Sequence, residues 1–177
     1  MVTKKYFLFL KLCSILCIIA LILSFLYIHG YRINVSNSLP YWLYKVHAAD
    51  QTKSISRGDY VIVDYSLIKD DNLAIKTALE RKYMNSNLPM GKQVGAVSGD
   101  FVVLRDDRLF VNSEDCGHMI VLSADSSGNP LYPFPTPVTL QTDQYWLISN
   151  PERGFDSRYF GMISRDCITH LAYPLFP

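Results

Sequence analysis

This 177-residue chain has little of what metal or redox chemistry needs. It holds four cysteines and four histidines, with no Cys-x-x-Cys pair and no histidine cluster. His29, His47, His118 and His170 lie far apart in sequence, so neither a metal site nor a cofactor is expected. Internal repeats are absent, which excludes a repeat array. A clustered basic patch is also missing, and with it the electrostatic footprint of a nucleic-acid partner. Setting aside Lys4, Lys5 and Lys11, the 17 basic residues fall to 14, against 16 acidic ones, and the two signs are mixed along the chain. That pattern is a solvated surface. Cys116 and Cys167 are the only two cysteines beyond the N-terminal apolar segment. An oxidising compartment favours pairing them, but sequence does not place their Cα atoms within bonding distance, so they stand as a candidate disulfide.

What is present begins with a hydrophobic run. Leu12 to Ile28 is apolar apart from Cys13, Ser14, Cys17 and Ser24. As a helix it covers roughly 25 Å, just enough to cross a bilayer's hydrocarbon core. Lys4, Lys5 and Lys11 precede it, so residues 1–11 are expected in the cytoplasm and the remainder on the outer face of the inner membrane. A cleaved secretory signal needs small residues at the end of the run. Phe25, Leu26, Tyr27, Ile28, His29 and Gly30 do not supply them, which favours an uncleaved anchor over residues 12–28.

Residues 31–177 read as mainly β, with many short strands and one helix. Tyr31 to Val35 is an extended lead-in. Tyr41 to Val46 is rich in aromatic and β-forming residues and fits either a buried strand or a membrane-apposed surface. Tyr60 to Tyr65, after the turn Arg57-Gly58-Asp59, is a clear strand. Asp70 to Tyr83 predicts a helix, capped by Asp70 and Asp71, with Leu73, Ala74, Ala78 and Leu79 as its apolar stripe. Lys92 to Val97 predicts a strand. Phe101–Leu104 and Leu109–Val111 predict a hairpin joined through Arg105-Asp106-Asp107-Arg108. Ser123 to Pro137 reads as loop, Tyr145 to Ser149 as a strand, and Met162 to Leu171 as a closing strand or short segment.

Two residues carry candidate chemistry. Ser38 lies in Ser36-Asn37-Ser38-Leu39-Pro40, about ten residues past the hydrophobic run. Lys92 lies among Leu88, Pro89, Met90, Val94, Ala96 and Val97, with no acid until Asp100. A lysine serves as base for a serine only when neutral near pH 7. Its ordinary value is ~10.4, and burial among apolar groups is what lowers it.

Ser-Leu-Pro after an anchor, a lysine followed by Gly99-Asp100, and the block Asp156-Ser157-Arg158-Tyr159-Phe160-Gly161 occur here in that order. The combination resembles the type I signal peptidase (S26) family of Ser–Lys proteases. Within it, Ser38-Leu39-Pro40-Tyr41-Trp42-Leu43-Tyr44 is most similar to the conjugative-transfer branch, the TraF-type pilin peptidases, although Trp42 stands where a Gly is common. Ala78-Leu79-Glu80-Arg81-Lys82-Tyr83-Met84 and Asp125-Ser126-Ser127-Gly128-Asn129-Pro130-Leu131 also look like that branch. The resemblance implies a signal-peptidase-type β domain, with Ser38 as nucleophile and Lys92 as general base. It implies an oxyanion site made of the Ser38 backbone N–H and the Ser36 hydroxyl, and a supporting pair, Asp156 and Arg158, under the site. The implied partner is a membrane-embedded pilin precursor, trimmed at its C-terminus and in some members closed head to tail. A general signal peptidase cutting N-terminal export signals, and a non-catalytic pilus assembly factor, are the alternatives. The chain departs from the family at Gly154, where general signal peptidases often carry a serine that orients the lysine.

Overall fold

The computed structural model describes residues 2–36, 38–50, 52–67, 73–80, 89–149 and 154–176. Asn37, the expected caps Asp70 and Asp71, the far end of the expected helix and most of the loop before Pro89 lie outside the described residues.

Helix α1 runs Val2–Ile28. Its apolar stretch, Tyr6–Ile28, has 23 residues and a mean hydropathy of 2.6, long enough to cross a bilayer and longer than Leu12–Ile28 alone. Its side chains face outward rather than into the protein, as suits a single-pass anchor. Gly30 ends it at φ 85°, and its carbonyl accepts from Val46 N–H at 2.8 Å, which ties the helix exit to the first strands.

The remaining elements form two antiparallel sheets. The larger contains β1 (Tyr31–Ile33), β2 (Leu43–Ala48), β3 (Tyr60–Val63), β4 (Met90–Ala96), β9 (Gln144–Ile148), β10 (Ile163–Ser164) and β11 (Ile168–Pro174). Their order is β1-β2-β11-β3-β4-β9-β10. The smaller contains β5 (Phe101–Arg105), β6 (Arg108–Val111), β7 (Glu114–His118) and β8 (Val138–Thr139) in the order β7-β6-β5-β8. Asp106 and Asp107 both have positive φ, 52° and 55°, which suits the tight two-residue turn between β5 and β6. Helix α2 (Leu73–Glu80) buries Ile75 in the main core. Helix α3 is the single turn Ser157–Phe160.

Strands β4 and β9 join two cores. Val94 and Leu147 pack with Val61, Val63, Phe160 and Ile168, while Ala96 and Trp146 pack with Val102, Leu109, Val111 and Leu140. The register shift between Val94 and Ala96 marks the changeover. On the opposite face of the larger sheet, Leu39, Tyr44 and Ala172 form a third cluster with Tyr41, Tyr60 and Ile62.

The mainly β architecture and most strands agree with the sequence reading, and four details differ. Tyr41-Trp42-Tyr44 divides between its two readings: Tyr44 is buried, whereas Trp42 is exposed and stacks on Phe176 at 6.2 Å. Strand β7 went unforeseen because Glu-Asp-Cys-Gly-His is polar and exposed. It is an edge strand held by β6 pairing and by Arg108 donating to Asp115 at 2.8 Å. Strand β11 continues past Leu171 to Pro174, pairing with β2 to its end and with β3 as far as Ala172. The candidate Cys116–Cys167 disulfide is not formed. Cys116 is an exposed free thiol on the smaller sheet, and Cys167 is a free thiol buried in the core of the larger one.

Gly161 closes α3 at φ 75° and ψ −152°, a region essentially reserved for glycine. A Cβ there would also overlap the ring of Phe134, which packs edge-on against Trp146 at 6.0 Å. Gly161→Ala is therefore expected to destabilise the fold by about 3 kcal/mol or more, read as a lowered unfolding midpoint of the full chain in detergent micelles.

Candidate active site

The larger sheet places a lysine where its own pattern demands an apolar residue. Along β4, Lys92, Val94 and Ala96 point inward while Gly91, Gln93 and Gly95 are only partly covered. Lys92 is 1% exposed. Its Nζ donates to Ser149 Oγ at 2.5 Å and to the Phe155 carbonyl at 2.8 Å. Burial pushes its pKa down to about 8, opposed by the charge of Asp156 and reinforced by that of Arg158.

The acid nearest this lysine in its electrostatics is already occupied. Asp156 and Arg158 are both fully buried. Asp156 Oδ1 accepts from Arg158 Nε at 2.8 Å and from the Arg158 backbone N–H at 3.0 Å. Oδ2 accepts from Arg158 Nη2 at 2.8 Å and from the Ser149 backbone N–H at 2.8 Å. A carboxylate offers about four lone-pair directions, and here all are taken. The guanidinium reaches further, to the carbonyls of Ile120 (2.7 Å) and Gly154 (2.8 Å). The pair thus fixes three chain segments, and among the described residues Lys92 has no ion pair. Phe155, whose carbonyl holds Lys92, is itself fixed by stacking on Tyr159 at 5.4 Å.

Ser38 sits in a turn closed by Asn34. The Asn34 amide donates to the carbonyls of Leu39 (3.0 Å) and Tyr41 (2.9 Å), and its Oδ1 accepts from Ser36 Oγ at 2.9 Å. The Ser38 N–H donates to Ser36 Oγ at 3.4 Å. Ser38 opens onto a cavity of about 460 Å³ that is also lined by Ile33, Val35, Ser36, Met90 and Gly91. Leu39, the next residue, is buried against Gly91, where a Cβ would lie 2.5 Å from Leu39 Cδ1. The absence of a side chain at 91 lets the serine turn settle beside the lysine strand. Leu39 takes the Gly91 and Ile62 face of the larger sheet, whereas Lys92 faces the core with Val61 and Val94. Ser38 Oγ and Lys92 Nζ are not hydrogen-bonded to each other in this structure.

The five residues singled out from sequence therefore fall into two groups. Lys92, Asp156 and Arg158 converge under the end of β9. Ser36 and Ser38 share the turn that lies over Gly91. Two contributors escaped the sequence reading. Asn34 carried no signal, because an asparagine near a turn is common. Ser149 becomes visible only through strand pairing: Gln93 pairs with Ile148 and Val94 with Leu147, so the same register carried one step further opposes Lys92 with Ser149.

The buried amine has a measurable consequence for stability. Its folded value of about 8 lies below the ordinary 10.5, so the unfolded chain binds the extra proton between those values. Stability is then lowest below pH 8, where the full cost is present, and rises as pH climbs toward 10.5. Lys92→Met is expected to stabilise the full chain at pH 7 by on the order of 3 kcal/mol and to flatten that rise. Urea unfolding across pH 7 to 10.5 measures both effects.

With this geometry in view, comparisons with known proteins are specific. The family described as signal peptidase, peptidase S26 matches residues 6–173. The conjugal transfer protein TraF of Agrobacterium fabrum is 31% identical over 155 residues, covering 84% of each chain. A plasmid transfer protein TraF of Escherichia coli is 29% identical over 157 residues, again covering 84% of each. The probable conjugal transfer protein TraF of Sinorhizobium fredii is 32% identical over 153 residues, covering 81% of this chain and 75% of that one. Among solved structures, a signal peptidase I from Enterococcus faecalis aligns with a TM-score of 0.40 at 18% identity, covering 66% of this chain and 94% of that one.

Proposed function

The chain belongs to the signal peptidase, peptidase S26 family, and from that premise we propose that it is a membrane-anchored serine endopeptidase acting in conjugative transfer. Its substrate on this reading is a membrane-embedded pilin precursor, trimmed at the C-terminus, with head-to-tail closure as a second outcome of the same acyl-enzyme. Residues 12–28 of helix α1 serve as the anchor, with residues 1–11 cytoplasmic and residues 31–177 forming a periplasmic peptidase domain. The observation that carries the proposal is the state of Lys92: buried, without an acid partner among the described residues, and held at about pKa 8. A buried lysine with a depressed pKa is what a general base for a serine requires.

In the proposed mechanism neutral Lys92 takes the proton of Ser38, and the serine oxygen attacks the substrate carbonyl. The Ser38 N–H and the Ser36 hydroxyl stabilise the oxyanion after Ser36 turns away from Asn34. The Lys92 ammonium then protonates the departing amine, leaving an ester on Ser38. Water resolves that ester to a trimmed chain, and the substrate's own N-terminal amine resolves it to a ring. Proton transfer needs the Ser38 oxygen about 3 Å from Nζ, and such contacts commonly tighten only with substrate bound. The cavity beside Ser38 suits an extended apolar segment, and the anchor holds both molecules in one thin layer, which raises their effective concentration.

Ser38→Ala and Lys92→Ala are each expected to abolish maturation of a co-expressed pilin while the protein still folds and inserts. Mass spectrometry of the product then separates the outcomes. A C-terminally trimmed pilin, linear or lighter by one water, supports the proposal. Normal maturation with either variant overturns the dyad, and cleavage confined to N-terminal export signals keeps the dyad but replaces the pilin substrate with that of a general signal peptidase.

A further inference from the structure

We infer that Ser149 is the positioning residue that aims Lys92, taking over the task from position 154, and that Gly154 lacks a side chain to make room for it. The inference rests on the dyad reading and concerns how that dyad is aligned.

A neutral amine has two N–H bonds and one lone pair. In this structure Nζ has two acceptors, Ser149 Oγ and the Phe155 carbonyl. With both N–H bonds directed to them, the lone pair is left at the remaining tetrahedral corner, free to accept a proton. One acceptor alone would leave the amine to rotate about that single bond. Ser149 is itself held from two sides. Its backbone N–H donates to Asp156 Oδ2, and the β4–β9 register sets it opposite Lys92. The backbone bond does not involve the side chain, so the hydroxyl can be removed without releasing the staple.

Gly154 supplies the second, independent observation. A Cβ built there would overlap Ser149 Cβ and lie 2.8 Å from Ser149 Oγ. Its backbone is not among those with positive φ, so glycine is not required there by conformation. What excludes a side chain is the space Ser149 occupies. The two positions thus compete for one small volume, which a side chain at 154 would enter between Ser149 Oγ and Arg158 Nη2, the latter 3.1 Å from such a Cβ.

The test uses the full chain in detergent micelles with p-nitrophenyl acetate as acylating probe, reading single-turnover acetylation of Ser38 by mass spectrometry against pH. Ser149→Ala is expected to slow acetylation by on the order of 10²-fold. It is also expected to move the midpoint of the pH–rate rise below that of the wild type, because the lost acceptor favoured the ammonium over the amine. Gly154→Ser alone should be impaired by overlap. Ser149→Gly with Gly154→Ser should recover to within about tenfold of wild type. Ser149→Gly with Gly154→Ala fills the volume but brings no hydroxyl, and should remain slow while unfolding at the same midpoint as the recovered variant. A wild-type rate and pH midpoint in Ser149→Ala, or equal recovery by both double variants, would overturn the inference. Equal acetylation of wild type and Ser38→Ala would instead reject the underlying dyad.

Discussion

Arg158 grips both oxygens of Asp156, and the character of Lys92 depends on that grip. A buried carboxylate with open lone pairs would draw the ammonium to itself and raise its pKa. Here the carboxylate is saturated by one guanidinium and two backbone donors, so it contributes field but no bond. Desolvation then prevails and the amine leans toward neutrality. Three fully or nearly fully buried ionisable groups in one small volume are a poor arrangement for stability. The two apolar cores that β4 and β9 join offset that cost, and the same strands carry the lysine and its hydroxyl partner.

The serine side of the site is organised by a different device. Asn34 bonds to Ser36, Leu39 and Tyr41, closing the turn on itself rather than on the core. Leu39 anchors it by filling the hollow over Gly91, and the Tyr41 N–H donates to the Tyr44 hydroxyl at 3.1 Å. Lys92 is therefore held from several segments, while Ser38 rides on a small turn footed on Leu39 and Tyr41. On the proposed reading, that asymmetry suits a serine that moves against a substrate and a lysine that stays in place.

Much of this was readable in the residues. Lys92-x-Val94-x-Ala96 already puts a lysine on the apolar parity of a strand, and the lack of a neighbouring acid pointed to a depressed pKa. The Asp156 to Gly161 block carried the family resemblance and implied Asp156 and Arg158 as a supporting pair, although not that the pair would be wholly buried. Other features depend on pairings that sequence does not display. Ser149 meets Lys92 only because β4 and β9, far apart in the chain, lie side by side. The two cysteines stood only as a candidate pair, and the fold places one on the smaller sheet and the other in the core of the larger. Strand β7 has no apolar alternation to announce it, since an edge strand needs none.

Strand β11, last of the described strands, lies between β2 and β3 rather than at an edge. Without Ile168–Pro174 the larger sheet would fall into two pieces, one holding β1 and β2 beside the serine turn and the other holding β3, β4, β9 and β10 with the lysine. A seam formed by residues remote in sequence from both the serine turn and the lysine thus fixes how far apart the two halves of the candidate site can lie.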